Sequence, residues 1–185
     1  MIPVLRSLRV LLAAASSRPR LHPLDDSVIR FRVWPNDLDV NLHMNNGRYL
    51  TLMDLGRLDL VVRIGVLGTL RRRRWNPVVG SLQVRYRRSL LPFQEYGIRT
   101  RLLCWDERWF YLDQRFERGG ELVAAALVKG LFLGPEGRVS TQQIVDASGH
   151  RIDSPPVPGA VAAWQEAEGA LRGHETLPAA AEASR

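Results

Sequence analysis

Asp37-Leu38-Asp39-Val40-Asn41-Leu42-His43-Met44-Asn45-Asn46-Gly47-Arg48-Tyr49 packs two carboxylates, an imidazole and three carboxamides into a turn that opens directly onto a long apolar run. That run (Tyr49, Leu50, Leu52, Met53, Leu55, Leu58, Leu60, Val61, Val62, Ile64) predicts a helix from about Gly47 to Ile64. Its apolar residues cover far more than one face, and a helix of that kind must be enclosed. A helix start carries free N–H groups and the positive end of the helix dipole, so it can polarise a carbonyl oxygen while a neighbouring carboxylate attacks or activates water. Acyl transfer is the chemistry this combination suggests.

Duller explanations account for part of the string. Asp and Asn are favoured in turns and at helix N-caps, so Asn45 or Asn46 could stand there only to cap the helix. Asp37-x-Asp39-x-Asn41 imitates the first ligands of a calcium loop, but Leu42 replaces the tight-turn glycine and Arg48 the closing glutamate. Zinc fails as well, because His22, His43, His150 and His174 lie far apart with no second ligand at metal spacing. No metal or organic cofactor is implied. His43 as an ordinary histidine remains open.

The string DLDVNLHMNNGRY resembles the signature of hotdog-fold thioesterases of the 4-hydroxybenzoyl-CoA thioesterase type, and its core is similar to that of plant acyl-ACP thioesterases. Phe31-Arg32-Val33, the run from Arg57 to Leu70 and the segment Ser81 to Ser89 resemble the group called thioesterase superfamily member six, over roughly residues 20 to 160. The resemblance implies an α+β fold with an antiparallel sheet wrapped around a central helix. It also implies hydrolysis of a fatty or aromatic acyl-CoA, or of an acyl carrier protein thioester, by a homodimer or a dimer of dimers. Carried over by position, Asp39 matches the nucleophile or general base, and Asn41 and His43 match residues that position it, the water or the thioester. The helix-start amides near Asn46 and Gly47 would hold the oxyanion, and Tyr49 would line the acyl pocket. One departure stands out: where the acyl-ACP enzymes place a functional glutamate after Tyr-Arg-Arg, Tyr86-Arg87-Arg88 is followed here by Ser89.

Composition agrees with a globular domain that buries a real core: 185 residues, 45% of them hydrophobic. Of 26 Lys and Arg, only Lys129 is a lysine, against 19 acids and a formal net charge of +7. Guanidinium groups grip phosphate oxygens at two points, which suits CoA or an acidic carrier protein, and Arg87 and Arg88 are the candidate contacts. No basic-plus-stacking module of a nucleic-acid binder is visible, so nucleic acid is not the expected partner. The run Arg71 to Arg74 reads as a solvated loop. The lone Cys104 lies in an apolar strand-like segment and reads as a core thiol. No G-x-S-x-G, G-x-G-x-x-G or P-loop motif occurs.

Along the chain, residues 1–20 form an N-terminal segment whose apolar core, Val10 to Ala15, is at or below the roughly 7 to 15 residues of a secretory signal. It reads better as a short amphipathic helix packed on the domain or lying on a membrane surface through residues 1–16, in a cytoplasmic or peripherally membrane-bound protein. Residues 21–160 are the expected hotdog domain and 161–185 a C-terminal helix and tail. Strands are predicted at Ser27 to Trp34, Val78 to Arg87, Gly97 to Trp105, Trp109 to Phe116 and Leu122 to Leu133, with Gly119-Gly120 as a hairpin turn. Thr141 to Ala147 and Val161 to Leu171 are predicted helices, with disorder from Gly173. Rival readings are a hotdog protein that binds acyl-CoA or lipid without turning it over, and a membrane-surface scaffold.

Overall fold

The computed structural model describes residues 5, 6, 8, 10–12 and 20–175 of the chain. The chain falls into two units, Met1–Pro155 and Pro156–Arg185. In the first unit it runs through β1 (Ser27–Arg32), a 3-10 turn (Pro35–Asp37), α1 (Asn46–Arg63), α2 (Leu67–Arg73), β2 (Asn76–Tyr86), β3 (Glu95–Trp105), β4 (Phe110–Arg118), β5 (Glu121–Gly134), β6 (Gly137–Val139) and α3 (Thr141–Asp146). The second unit contributes α4 (Gly159–Glu175).

All pairings are antiparallel in the order β1-β3-β4-β5-β2, with β6 on β5. This is the α+β hotdog arrangement that the family resemblance implied. Alternation fixes which face turns inward. Ile29 and Phe31 of β1, Tyr96 and Ile98 of β3, Phe116 of β4 and Ala124, Ala126 and Val128 of β5 are buried, and they pack with Tyr49, Leu52, Met53 and Leu55 of α1. Gly119 and Gly120 both take positive φ (57° and 81°), the backbone a two-residue hairpin demands.

Gly56 makes the close approach of α1 possible. A Cβ there would strike Thr100 Oγ1 and come within 2.9 Å of Gln114 Nε2. Gln114 is fully buried and satisfied, its amide donating to Met53 O and to Thr100 Oγ1, both at 2.9 Å.

Several expectations need correction. Leu50, Leu58, Val61, Val62 and Ile64 are only half-buried, so the sheet encloses one face of α1 and leaves the other beside an open cavity. Arg71 to Arg73 are not loop but the last turn of α2, for Arg is a good helix former and Leu70 pins the helix to a second apolar cluster. Arg74, at φ 55°, ends it. The first strand stops at Arg32 rather than Trp34, because Pro35 opens a 3-10 turn. The C-terminal helix continues through Gly173 to Glu175; the rest of the expected disordered tail lies outside the described residues. Strand β6 is an addition that the residue pattern does not announce. Cys104 is a buried free thiol whose pKa is pushed up to about 11 by burial, with help from Asp106, as its core reading requires. Of the N-terminal segment, residues 5, 6, 8 and 10–12 are helical, with Arg6 and Val10 buried and the remainder outside the described residues. Among the described residues no helix is long and apolar enough to cross a membrane.

Candidate active site

The motif folds as a short ladder. Asn45 N–H donates to Asp37 O (2.9 Å), Leu38 bridges Met44, and Asp39 N–H donates to His43 O (2.9 Å). Asp39, Val40, Asn41, Leu42 and His43 thus form the tip, and α1 begins one residue beyond Asn45. Asp39 Oδ1 accepts the Asn41 N–H at 2.9 Å, an Asx turn, and lies 3.5 Å from the His43 N–H. Leu42, placed where a calcium loop would need glycine, takes φ 58° nonetheless. A leucine in the left-handed region is strained by about 1 kcal/mol or more, which the surrounding ladder must over-determine. Val40 (95% exposed) and Leu42 (66%) project into solvent.

At the helix start Asn45 is the N-cap, its backbone extended and its side-chain oxygen accepting the Gly47 N–H at 2.9 Å. The Gly47 amide is therefore engaged, and the Asn46 N–H is the donor left without an acceptor among the described residues. The capping explanation thus holds for Asn45, and the Gly47 amide, expected to help hold an oxyanion, is taken up by that cap. Asn41, Asn46 and Gly47 are exposed, Asp39 and His43 half-buried and Tyr49 buried.

Tyr86, at the end of β2, donates its hydroxyl to Asn46 O at 3.0 Å and sits edge-on to Tyr49, whose ring packs in turn on Phe116. Burial pushes the Tyr49 phenol up to about 12, opposed by a backbone hydrogen bond at Leu90 and aided by Tyr86. Tyr49 is thus held inside the core and is not among the residues lining the apolar cavity between α1 and α2, and Tyr86 fixes the end of β2 beside the helix start. Arg87 and Arg88 follow from that point. Both donate their backbone N–H to Val123 O, both side chains are exposed, and Arg88 pairs with Glu121 at 2.8 Å.

Sequence reasoning missed the support beneath the tip. Asp37 is fully buried, held by Arg6 at 2.7 and 2.9 Å, by Arg48 Nε at 3.2 Å and by the Trp34 N–H at 2.9 Å. Nothing in the chain announces a contact across 31 residues. Arg57 was missed too: it lies on the cavity side of α1, bonded to Gln114 Oε1 and Asp54, its pKa lowered by burial against the opposing pull of Asp54.

A cavity of about 810 Å³ lies between α1, α2 and strands β2 and β5, walled by apolar side chains such as Leu58, Val61, Leu70, Trp75, Phe110 and Phe132. It does not touch Asp39, His43 or Asn46. Its lining on α1 begins at Asp54, roughly 12 Å along the helix axis from Asn46 at 1.5 Å per residue. Among the described residues no three His, Cys, Asp or Glu side chains converge as a metal site would require.

A sequence model of the thioesterase-like superfamily matches residues 33–165. Protein THEM6 of Danio rerio is 41% identical over 112 residues, covering 60% of this chain and 55% of that protein, so the chain spans about half the length of this curated relative. Two solved structures show the same fold at low identity. YbaW, a probable thioesterase from Escherichia coli, superposes with a TM-score of 0.61 at 21% identity, covering 66% of this chain and 95% of its own. The 1,4-dihydroxy-2-naphthoyl-CoA thioesterase Slr0204 from Synechocystis gives 0.59 at 9%, covering 69% and 100%.

Proposed function

This chain belongs to the thioesterase-like superfamily, and from that premise we propose that it is an acyl-CoA thioesterase in which Asp39 attacks the thioester carbon directly or activates the water that does. The observation that carries the reading is the Asp39 carboxylate, held by the Asn41 N–H on a hydrogen-bonded tip next to a helix start whose Asn46 N–H is unengaged among the described residues. As attack moves charge onto the carbonyl oxygen, that N–H and the dipole of α1 stabilise it, and a preorganised donor of this kind is worth roughly 10²–10³ in rate. Collapse then breaks the C–S bond and expels the CoA thiolate. When Asp39 activates water, that water supplies the proton the thiolate takes up. When Asp39 attacks directly, a water then hydrolyses the mixed anhydride, releasing the free acid, restoring the Asp39 carboxylate and supplying that proton. Asn41 and His43 hold Asp39 through their backbone N–H groups. The apolar cavity suits a fatty acyl tail lying along α1, with Leu58 and Val61 beneath it. Release of free CoA from short, long and aromatic acyl-CoAs, run beside acyl carrier protein thioesters, tests the activity and the carrier. No turnover of any of them would reduce the protein to a binder.

We further propose that it works as a homodimer. β2 is eleven residues long, pairs with β5 alone among the described residues, and exposes Val78, Val79, Leu82 and Tyr86. A long apolar edge of that kind is a pairing surface that a second copy would close by a two-fold axis. Light scattering should read twice the 20.9 kDa chain mass. Peripheral contact with a membrane is also part of the reading, supported by Leu5 and Leu8, which are half exposed on the helical residues opposite buried Arg6 and Val10. Co-sedimentation of the full chain with anionic vesicles tests it.

A further inference from the structure

We propose that Arg6 is a positioning residue for the reaction: by clamping Asp37 from outside the motif it sets the geometry of the tip that carries Asp39, an inference that rests on the role of Asp39 given above. Arg6 is 9% exposed and reaches both oxygens of Asp37, Nη1 to Oδ1 at 2.9 Å and Nη2 to Oδ2 at 2.7 Å. Such two-point pairing fixes direction as well as distance. Nη2 also donates to Arg32 O at the end of β1, and the guanidinium lies over the Phe31 ring at 5.6 Å. One side chain therefore ties the N-terminal segment to the edge strand and to the root of the catalytic ladder.

Asp37 occupies the point where a small displacement is passed on. Its carbonyl accepts the Asn45 N–H that closes the ladder, so the same residue holds the strand leading to Asp39 and the cap from which α1 starts. Arg48, on α1, grips Asp37 Oδ1 at 3.2 Å and Asn36 O at 2.8 Å. The distance between Asp39 and the Asn46 amide is thus set by Arg6 from one side and Arg48 from the other. The neighbouring Tyr96 hydroxyl is buried with no hydrogen-bond partner among the described residues, and as a single neutral donor it does not reproduce the charged two-point fork that Arg6 gives Asp37. A tip that already holds Leu42 at φ 58° would relax once its root is loosened.

The test uses the full chain carrying Arg6→Ala. Arg48 still faces Asp37, which spares the carboxylate from complete loss of its cations and lets the variant fold. Hydrogen exchange of the amides from 38 to 44 should speed up about tenfold or more while β3 to β5 keep their protection. kcat for an acyl-CoA should fall about tenfold or more with KM changed less than about twofold, since misplacement of a reacting group costs rate rather than carrier binding. Millimolar guanidinium chloride should restore part of kcat to Arg6→Ala and none to the wild type. Arg6→Lys, which keeps the charge without the fork, should fall between them, and it serves if the alanine variant does not fold. Unchanged kcat and unchanged tip exchange in Arg6→Lys, or an equal loss of protection throughout the sheet, would overturn the proposal. Asp39→Asn separates the two levels. An inactive Asp39→Asn beside a fully active Arg6→Ala overturns the clamp alone, whereas a fully active Asp39→Asn overturns the role of Asp39 and the clamp with it.

Discussion

Asn45 Oδ1 accepts the Gly47 N–H at 2.9 Å and so leaves the amide between them, that of Asn46, as the donor at the start of α1 that is unengaged among the described residues. Asn45 has φ −59° and ψ 136°, the extended conformation that precedes a proline, and Asn46 is the first helical residue, where proline is well tolerated. Asn46→Pro should therefore fold normally yet lose the N–H, lowering kcat roughly 10²–10³-fold, while Asn46→Ala, which keeps it, should stay active. Equal turnover by the two variants would take this amide out of the mechanism.

Asp39→Asn is nearly isosteric and keeps an oxygen to accept the Asn41 N–H, so the tip should hold its shape. Lacking basicity and nucleophilicity, the variant should show kcat/KM at least about a hundredfold lower with an unchanged melting temperature. Wild-type kcat/KM in this variant would leave its carboxylate as a turn-former only. His43→Ala should cost less, because the contact of His43 with Asp39 is through the backbone.

Gly56→Ala should destabilise by about 1–3 kcal/mol, because the methyl would press on Thr100 and on Gln114, both buried and bonded to each other. Gly68→Ala is the control: its methyl meets nothing within 4 Å on α2, and it should be neutral or stabilising by up to about 1 kcal/mol. Urea midpoints decide; matching changes at the two sites would show that the approach of α1 to the sheet is not limited by Gly56.

Stability should decline at alkaline pH. In the unfolded chain the Tyr49 phenol loses its proton near 10, whereas in the fold burial holds it up to about 12. The folded state then binds the extra proton, so this contribution is complete below pH 10 and is lost as the pH rises toward 12. Tyr96 shifts in the same direction for the same reason. Urea midpoints between about pH 8 and 11 should fall less steeply in Tyr49→Phe than in the wild type, and parallel slopes would rule Tyr49 out.

The sequence by itself determined the fold class and singled out the segment proposed to carry the chemistry. The apolar run after Asn46, the strand periods and Gly119-Gly120 are local signals, and the DLDVNLHMNNGRY string carries its own turn, cap and helix start. What was local was legible. Tertiary structure alone decided which helix-start amide is left over, because capping depends on where the Asn45 side chain turns. It also decided that α1 keeps one side open to a cavity, that Arg71 to Arg73 finish a helix anchored by Leu70, and that Arg6 buries its charge on Asp37. The cap is a contact two residues apart that turns on one side-chain rotamer. The cavity, the anchoring of Leu70 and the Arg6–Asp37 pair rest on contacts between residues far apart in the chain, and a buried ion pair forms only when both partners lose water at the same place. No spacing rule in a sequence encodes that coincidence.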